Sequence, residues 1–208
     1  MSIRSRAKEF VLNHLPIFDI IYPTHLRMIG STKHQTIQAY AKRFGLRTFV
    51  ETGLFYGNTV ALLRRRFSRL ISIELDPVLC ERAKRRFQSC PRIEIIHGDS
   101  ATELPKLLPN LSEPCLFWLD AHYWTGATFP EGAMDRAPEG HVENPVLIEL
   151  GEILQHRIQN HVILIDDADH FTGEAGWPTI ATVGELVSRL RPELICEVQD
   201  RIVRIHGH

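Results

Sequence analysis

Acidic residues close a series of short apolar runs in this sequence, and each is followed by residues suited to holding a small polar ligand. The first run leads into Glu51-Thr-Gly-Leu-Phe-Tyr-Gly-Asn-Thr59. Gly53 and Gly57 let the backbone turn sharply and approach a ligand closely. Asn58 or Thr59 is placed to cap a following helix, whose N-terminus favours polar or anionic groups. The spacing is G-x-x-x-G rather than the GxGxxG of a dinucleotide turn, and bulky Phe55 and Tyr56 lie inside it. An acid ahead of such a turn suits a cationic amino group better than a phosphate. Glu74 follows Glu51 by 23 residues, and a carboxylate at a second strand end accepts two hydrogen bonds from a ribose diol. The third run ends in His97-Gly-Asp-Ser100. Asp99 there is placed to accept from an adenine amino group, although Asp99 and Ser100 are also ordinary turn residues.

A denser cluster follows the fourth and fifth runs, in Asp120-Ala-His122-Tyr-Trp124 and Asp166-Asp-Ala-Asp-His170. Carboxylates brought together repel one another unless a cation or a proton neutralises them. Hard oxygen ligands suit Mg²⁺, Mn²⁺ or Ca²⁺, which makes Asp120, Asp166 and Asp167 a candidate metal set. The structural alternative is that Asp166 caps a turn. His122 and His170 carry imidazoles that titrate near neutrality, so either is a candidate general base. His156, His161, His206 and His208 read as solvated or incidental, and Arg64-Arg65-Arg66 and Lys84-Arg85-Arg86 as solvated helix faces. Lys33-His34 is a weaker candidate for reaching the same pocket.

These residues need a scaffold that brings strand ends together. The β-rich runs are 47–51, 70–74, 92–97, 115–120 and 161–166, and helix-length patterns lie between them at 58–67, 77–88, 101–108 and 145–157. Such alternation, with near-continuous apolar strands, predicts an α/β fold: a Rossmann-like, mostly parallel sheet with helices on both faces. Ligands bind beyond the carboxyl ends of such strands. After a helix at 178–190, the runs 194–198 and 201–205 read as an antiparallel C-terminal hairpin turning at Gln199-Asp200, which brings the sheet to seven strands. Residues 1–45 read as an N-terminal helical segment packing on the core, with a helix from Gln35 to Phe44 stopped by Gly45; residues 46–208 form the main unit. The polar stretch from Tyr123 to Asn144 has the length of a lid or binding loop, with Trp124 and Phe129 to cover an acceptor.

Composition narrows the class. A chain of 208 residues with 44% hydrophobic and 24% charged residues and a mean hydropathy of −0.11 fits one soluble domain. A domain of that size buries ~70% of its unfolded surface. Lys plus Arg is 24 and Asp plus Glu 25, a net charge of −1, which argues against a general nucleic-acid binder and against disorder. Cys80, Cys90, Cys115 and Cys196 form neither a zinc pattern nor a disulfide framework, favouring a reducing, cytoplasmic setting. No stretch reaches the ~18 apolar residues of a membrane span.

Taken together, Glu51-x-Gly53-x-x-x-Gly57, Glu74 and Gly98-Asp99-Ser100 resemble the class I S-adenosylmethionine-dependent methyltransferases over roughly residues 47–206. The resemblance implies that S-adenosyl-L-methionine is the cofactor. Its methionine part would lie on Glu51, Gly53, Phe55, Gly57, Asn58 and Thr59, its ribose on Glu74, and its adenine by Asp99 and Ser100, with Asp120 also lining the site. The acidic cluster is similar to that of the divalent-metal-dependent, catechol-type O-methyltransferases. That likeness implies a metal on Asp120, Asp166 and Asp167. The Asn of that pattern is Asp167 here, and its lysine base is Tyr123, leaving His122 to act with Asp120 in catalysis. The implied reaction is methyl transfer to a hydroxyl of a small molecule, not a nucleic acid. A nicotinamide-dependent oxidoreductase and a non-catalytic S-adenosylmethionine or nucleotide-binding module are the alternatives. The oligomeric state stays open, a homodimer included.

Overall fold

A computed structural model describes residues 24–122, 133–134 and 144–208. Seven strands, β1 (Thr48–Thr52), β2 (Arg69–Glu74), β3 (Ile93–His97), β4 (Cys115–Leu119), β5 (Val162–Ile165), β6 (Ile195–Gln199) and β7 (Ile202–His206), form one sheet. The helices are α1 (Thr24–Arg43), α2 (Asn58–Leu63), α3 (Pro77–Phe87), α4 (Ser100–Leu107), α5 (Val146–Leu154) and α6 (Ile180–Leu190). The strand order is β3-β2-β1-β4-β5-β7-β6. β1 to β5 are parallel where they pair, and β7 runs antiparallel to both β5 and β6. The expected α/β architecture is therefore present, with β7 inserted between β5 and β6, an order the hairpin pattern alone does not imply.

Period-two alternation builds a core on each face of this sheet. Val50, Phe117, Leu119, Ile163 and Ile165 point to the face covered by α4, α5 and α6. Phe49, Leu116, Trp118, Val162 and Leu164 point to the face covered by α1, α2 and α3. Because both faces are covered, the central strands β1, β4 and β5 are buried at every position, which explains their uninterrupted apolar sequences.

Local chemistry sets the helix starts. Asp76 caps α3, its carboxylate accepting from Val78 N at 2.7 Å and Leu79 N at 2.9 Å, with Pro77 at the first helical position. Asp99 caps α4 and Thr179 caps α6 in the same way. α2 differs from expectation. Neither Asn58 nor Thr59 caps it; Gly57 stands at the cap in a left-handed conformation with φ 70°. α2 also ends at Leu63, short of the expected Phe67, where Arg66 N donates to Leu63 O in a closing turn. α1 is longer than the expected helix and packs through Ile37, Tyr40 and Ala41.

Two expectations about polar residues change. His161 and His206 are buried rather than solvated. His161 Nδ1 accepts from Cys115 N at 2.9 Å, its Nε2 lies 2.8 Å from His156 Nδ1, and burial holds it down to about 4. Arg86 leaves the solvated face to donate to Tyr56 O at 2.5 Å and Asn58 Oδ1 at 3.1 Å, so α3 braces the glycine turn. All four cysteines are free. No helix among the described residues is long and apolar enough to cross a membrane.

Candidate active site

Parallel pairing carries the acidic residues to one edge of the sheet. Glu51 lies opposite Ser72 and Trp118 on the neighbouring strands, and Glu74 opposite His97. The ladder runs one step beyond the strands, Gly53 N donating to Ile73 O and Asp120 N to Thr52 O, both at 3.0 Å. The loops after β1, β2 and β4 are thereby fixed side by side. Gly53, at φ 82°, lies flat against the Asp120 backbone; a Cβ there would sit 2.7 Å from the Asp120 carbonyl carbon.

Buried acids line this edge. Glu51 is 1% exposed, accepts from Ser72 Oγ at 2.6 Å, and is pushed up to about 8 by burial, against the pull of the Ser72 hydrogen bond. Glu74 is raised to about 7, again by burial. Its Oε2 accepts from Phe55 N at 2.7 Å and its Oε1 from Asp76 N at 2.8 Å, so the second-strand acid also holds the glycine turn in place. Asp99 acts as a helix cap, its Oδ1 accepting from Ala101 N at 2.9 Å. Ser100 is buried beside it. Only Ala133 and Met134 of the 123–144 stretch are described before Asn144, and Met134 N donates to Asp76 Oδ2 beside the second strand end. Tyr123, Trp124 and Phe129 lie outside the described residues.

Beyond β4 and β5 a cleft of about 200 Å³ opens, with Asp120, His122, Glu149 and Asp166 among its polar lining and Phe171 and Trp177 as its apolar wall. The His122 ring stands between two acids, Nδ1 3.5 Å from Asp120 Oδ1 and Nε2 3.6 Å from Asp167 Oδ2. Burial holds its pKa below the usual value, although Asp167 and Asp166 pull upward. Trp177 packs on the rings of His122 at 4.8 Å and of His170 and Phe171 at 5.2 Å. Asp120 is raised by burial, with the charge of Asp167 adding and that of Lys33 opposing.

The acids after β4 and β5 do converge, but not as the expected metal set. Asp166 Oδ2 is in contact with the Lys33 ammonium, and Asp166 Oδ1 accepts from Asp167 N at 2.8 Å. Asp167 Oδ1 lies 3.4 Å from Lys33 Nζ and 3.3 Å from Arg201 Nη2. The residues offering ligand atoms within 4.8 Å of one another are Asp120, His122 and Asp167. A divalent ion on Asp120, Asp166 and Asp167 would meet an ammonium already seated there, so that set does not fit one.

Sequence reasoning missed three of these participants. Glu149 sits on the buried face of α5 at 1% exposure, raised to about 7 by burial, and its Oε1 has no hydrogen-bond partner among the described residues. Its signal is an acid at an otherwise apolar helical position, since Val146, Leu150 and Ile153 share its face. Trp177 is brought in by a loop closed through the Thr172–Thr179 bridge. Arg201 reaches Asp167 from the β6–β7 turn. Neither has a local signal.

No family model matches the chain. Over 68 residues, 31% of the chain, it is 38% identical to a protein of Methanosarcina mazei named a probable ribosomal RNA small subunit methyltransferase A. That match covers 25% of the relative, so the chain spans about a quarter of the length of the curated relatives it matches. Among solved structures, an O-methyltransferase of Bacillus cereus in complex with S-adenosylhomocysteine aligns at TM-score 0.57 and 15% identity, covering 92% of this chain and 95% of that one. The O-methyltransferase TomG of Streptomyces achromogenes, bound to S-adenosylmethionine, aligns at TM-score 0.61 and 14% identity, covering 100% of this chain and 92% of that one. At these identities the likeness is one of fold: this chain has the Rossmann-like fold of the class I S-adenosylmethionine-dependent methyltransferases and resembles their O-methyltransferase members.

Proposed function

We propose that this protein transfers a methyl group from S-adenosyl-L-methionine to a hydroxyl of a small molecule. The observation that carries the reading is the gathering of buried, raised-pKa acids, Glu51, Glu74 and Asp120, round a glycine turn at the ends of neighbouring strands. A ligand with a cationic amino group and sulfonium and a ribose diol satisfies them. A dinucleotide would bring two phosphates against the same acids, which disfavours an oxidoreductase.

The donor supplies an already activated methyl group. The protein's part is to align an acceptor oxygen and exclude water. Trp177 and Phe171 supply apolar contact for the acceptor. His122, neutral near pH 7 because burial lowers its pKa, takes the hydroxyl proton on a ring nitrogen. Asp120 and Asp167, one on each side, stabilise the imidazolium that results.

The 68-residue match to an archaeal ribosomal RNA methyltransferase favours a second reading, an RNA acceptor. The acceptor side argues against it: Asp120, Asp166, Asp167 and Asp169 all follow β4 and β5, and a polyphosphate backbone would be repelled there. Transfer of radiolabelled methyl to a panel of hydroxylated small molecules and to ribosomal RNA separates the two. Label on a small-molecule oxygen supports the proposal; label on RNA alone replaces it with the second reading. Titration calorimetry with S-adenosylmethionine tests the donor directly, and an absence of binding removes both.

A further inference from the structure

We propose that Lys33 is a built-in replacement for a divalent cation, so that the acidic cluster after β4 and β5 is closed to metal for as long as α1 is docked. The proposal rests on reading this cluster as the acceptor site, but its test uses neither donor nor acceptor.

The placement of Lys33 follows from how α1 packs. Ile37, Tyr40 and Ala41 form the buried stripe of the helix, and Lys33 lies one turn before Ile37 on that stripe. Docking this stripe on the sheet face delivers the ammonium to the end of β5. There it contacts Asp166 Oδ2, lies 3.4 Å from Asp167 Oδ1 and feels the charge of Asp120. Burial alone would lower the pKa of Lys33, yet these three acids hold it above its ordinary value, so the group is a fixed cation and not a base. Arg201 adds positive charge on the outer side of Asp167. A divalent ion entering the cluster has to meet the ammonium at close range, whereas removing the ammonium leaves carboxylates whose mutual repulsion a metal relieves.

The experiment titrates Mn²⁺ alone into wild type, Lys33→Met and Lys33→Arg, followed by the paramagnetic resonance of free Mn²⁺ and by thermal melting. Wild type and Lys33→Arg are expected to leave the free-ion signal unchanged up to roughly 1 mM, the weak end of protein divalent sites. Lys33→Met is expected to take up one equivalent at least about tenfold more tightly, and to melt higher with Mn²⁺ present. If Lys33→Met is too unstable to study alone, recovery of its melting transition on adding Mn²⁺ supports the proposal and no recovery overturns it. One Mn²⁺ per chain on wild type below roughly 1 mM, or no gain of affinity in Lys33→Met, overturns it as well. Wild-type binding of S-adenosylmethionine without Mn²⁺ binding leaves the proposed activity standing whichever way Lys33 is decided.

Discussion

Glu149 is the residue least explained by packing alone. A carboxyl group at 1% exposure with an unpartnered oxygen costs stability whenever it ionises. Its pKa near 7 means the cost is largest above neutrality. Glu149→Leu is therefore expected to stabilise the protein by about 1–2 kcal/mol at pH 8 and by less at pH 6, as read from urea midpoints; an unchanged or lower midpoint at pH 8 would refute the account. Glu74 has the opposite character. It holds two backbone N–H groups and faces the proposed ribose. Glu74→Ala is expected to weaken S-adenosylmethionine binding by at least about tenfold, equivalent to one or two lost hydrogen bonds to a charged group; calorimetric affinity equal to wild type would end the ribose assignment. At Gly53 the constraint is steric as well as conformational. Gly53→Ala puts a Cβ into the Asp120 backbone at a φ of 82°, and a loss of at least about 2 kcal/mol in stability is expected from chemical denaturation.

Among the elements, the C-terminal hairpin carries the clearest local strain. The sequence suggested Gln199-Asp200 as the turn, but β6 runs through Gln199 and β7 begins at Ile202, so the two-residue loop is Asp200-Arg201. Both residues have positive φ, 53° and 64°, as a turn matching the twist of a hairpin requires. Arg204 stabilises it, donating to Gln199 Oε1 and Asp200 Oδ2 at 2.8 Å each. Asparagine and glycine adopt these angles with less strain. The double change Asp200→Asn with Arg201→Gly is expected to raise stability by about 0.5–1 kcal/mol, since the ion pairs it gives up are largely exposed. A lower melting temperature would mean that the contacts of Arg201 with Asp167 and Asp169 matter more than the turn.

Across the whole molecule, buried acids set the pH response. Glu51 at about 8, with Glu74 and Glu149 at about 7, stand above the ordinary 4.5. The folded state thus binds more protons than the unfolded one between those values. The stability these groups contribute is fully present below 4.5 and is lost as pH rises through 7 to 8. His161, lowered to about 4, works the other way, but its effect is complete by its ordinary value of 6.5. Between about pH 6.5 and pH 8 the melting temperature of the free protein should therefore fall, by about 2–4 °C for each kcal/mol. A bound cationic donor keeps Glu51 and Glu74 ionised, so saturating S-adenosylmethionine should flatten the slope in scanning calorimetry. A free-protein melting temperature that is level or rising over this interval would show that these acids do not titrate as buried groups.

The sequence by itself determined the strands, their alternation with helices and the acids that end them. Each is a local property: a continuous apolar run such as Cys115 to Leu119 has to be covered on both faces, and Glu51, Glu74 and Asp120 lie at or just beyond strand ends wherever the strands finally pair. Even so, local pattern left Asp99 open between cap and ligand, and its carboxylate does cap α4. The tertiary structure decided which groups face the acids. Lys33 lies 133 positions before Asp166, and Arg201 lies 34 after Asp167. No spacing rule reaches that far. Whether Asp166 faces an ion or an ammonium depends on how α1 docks through Ile37, Tyr40 and Ala41, and that packing exists only once the sheet has formed.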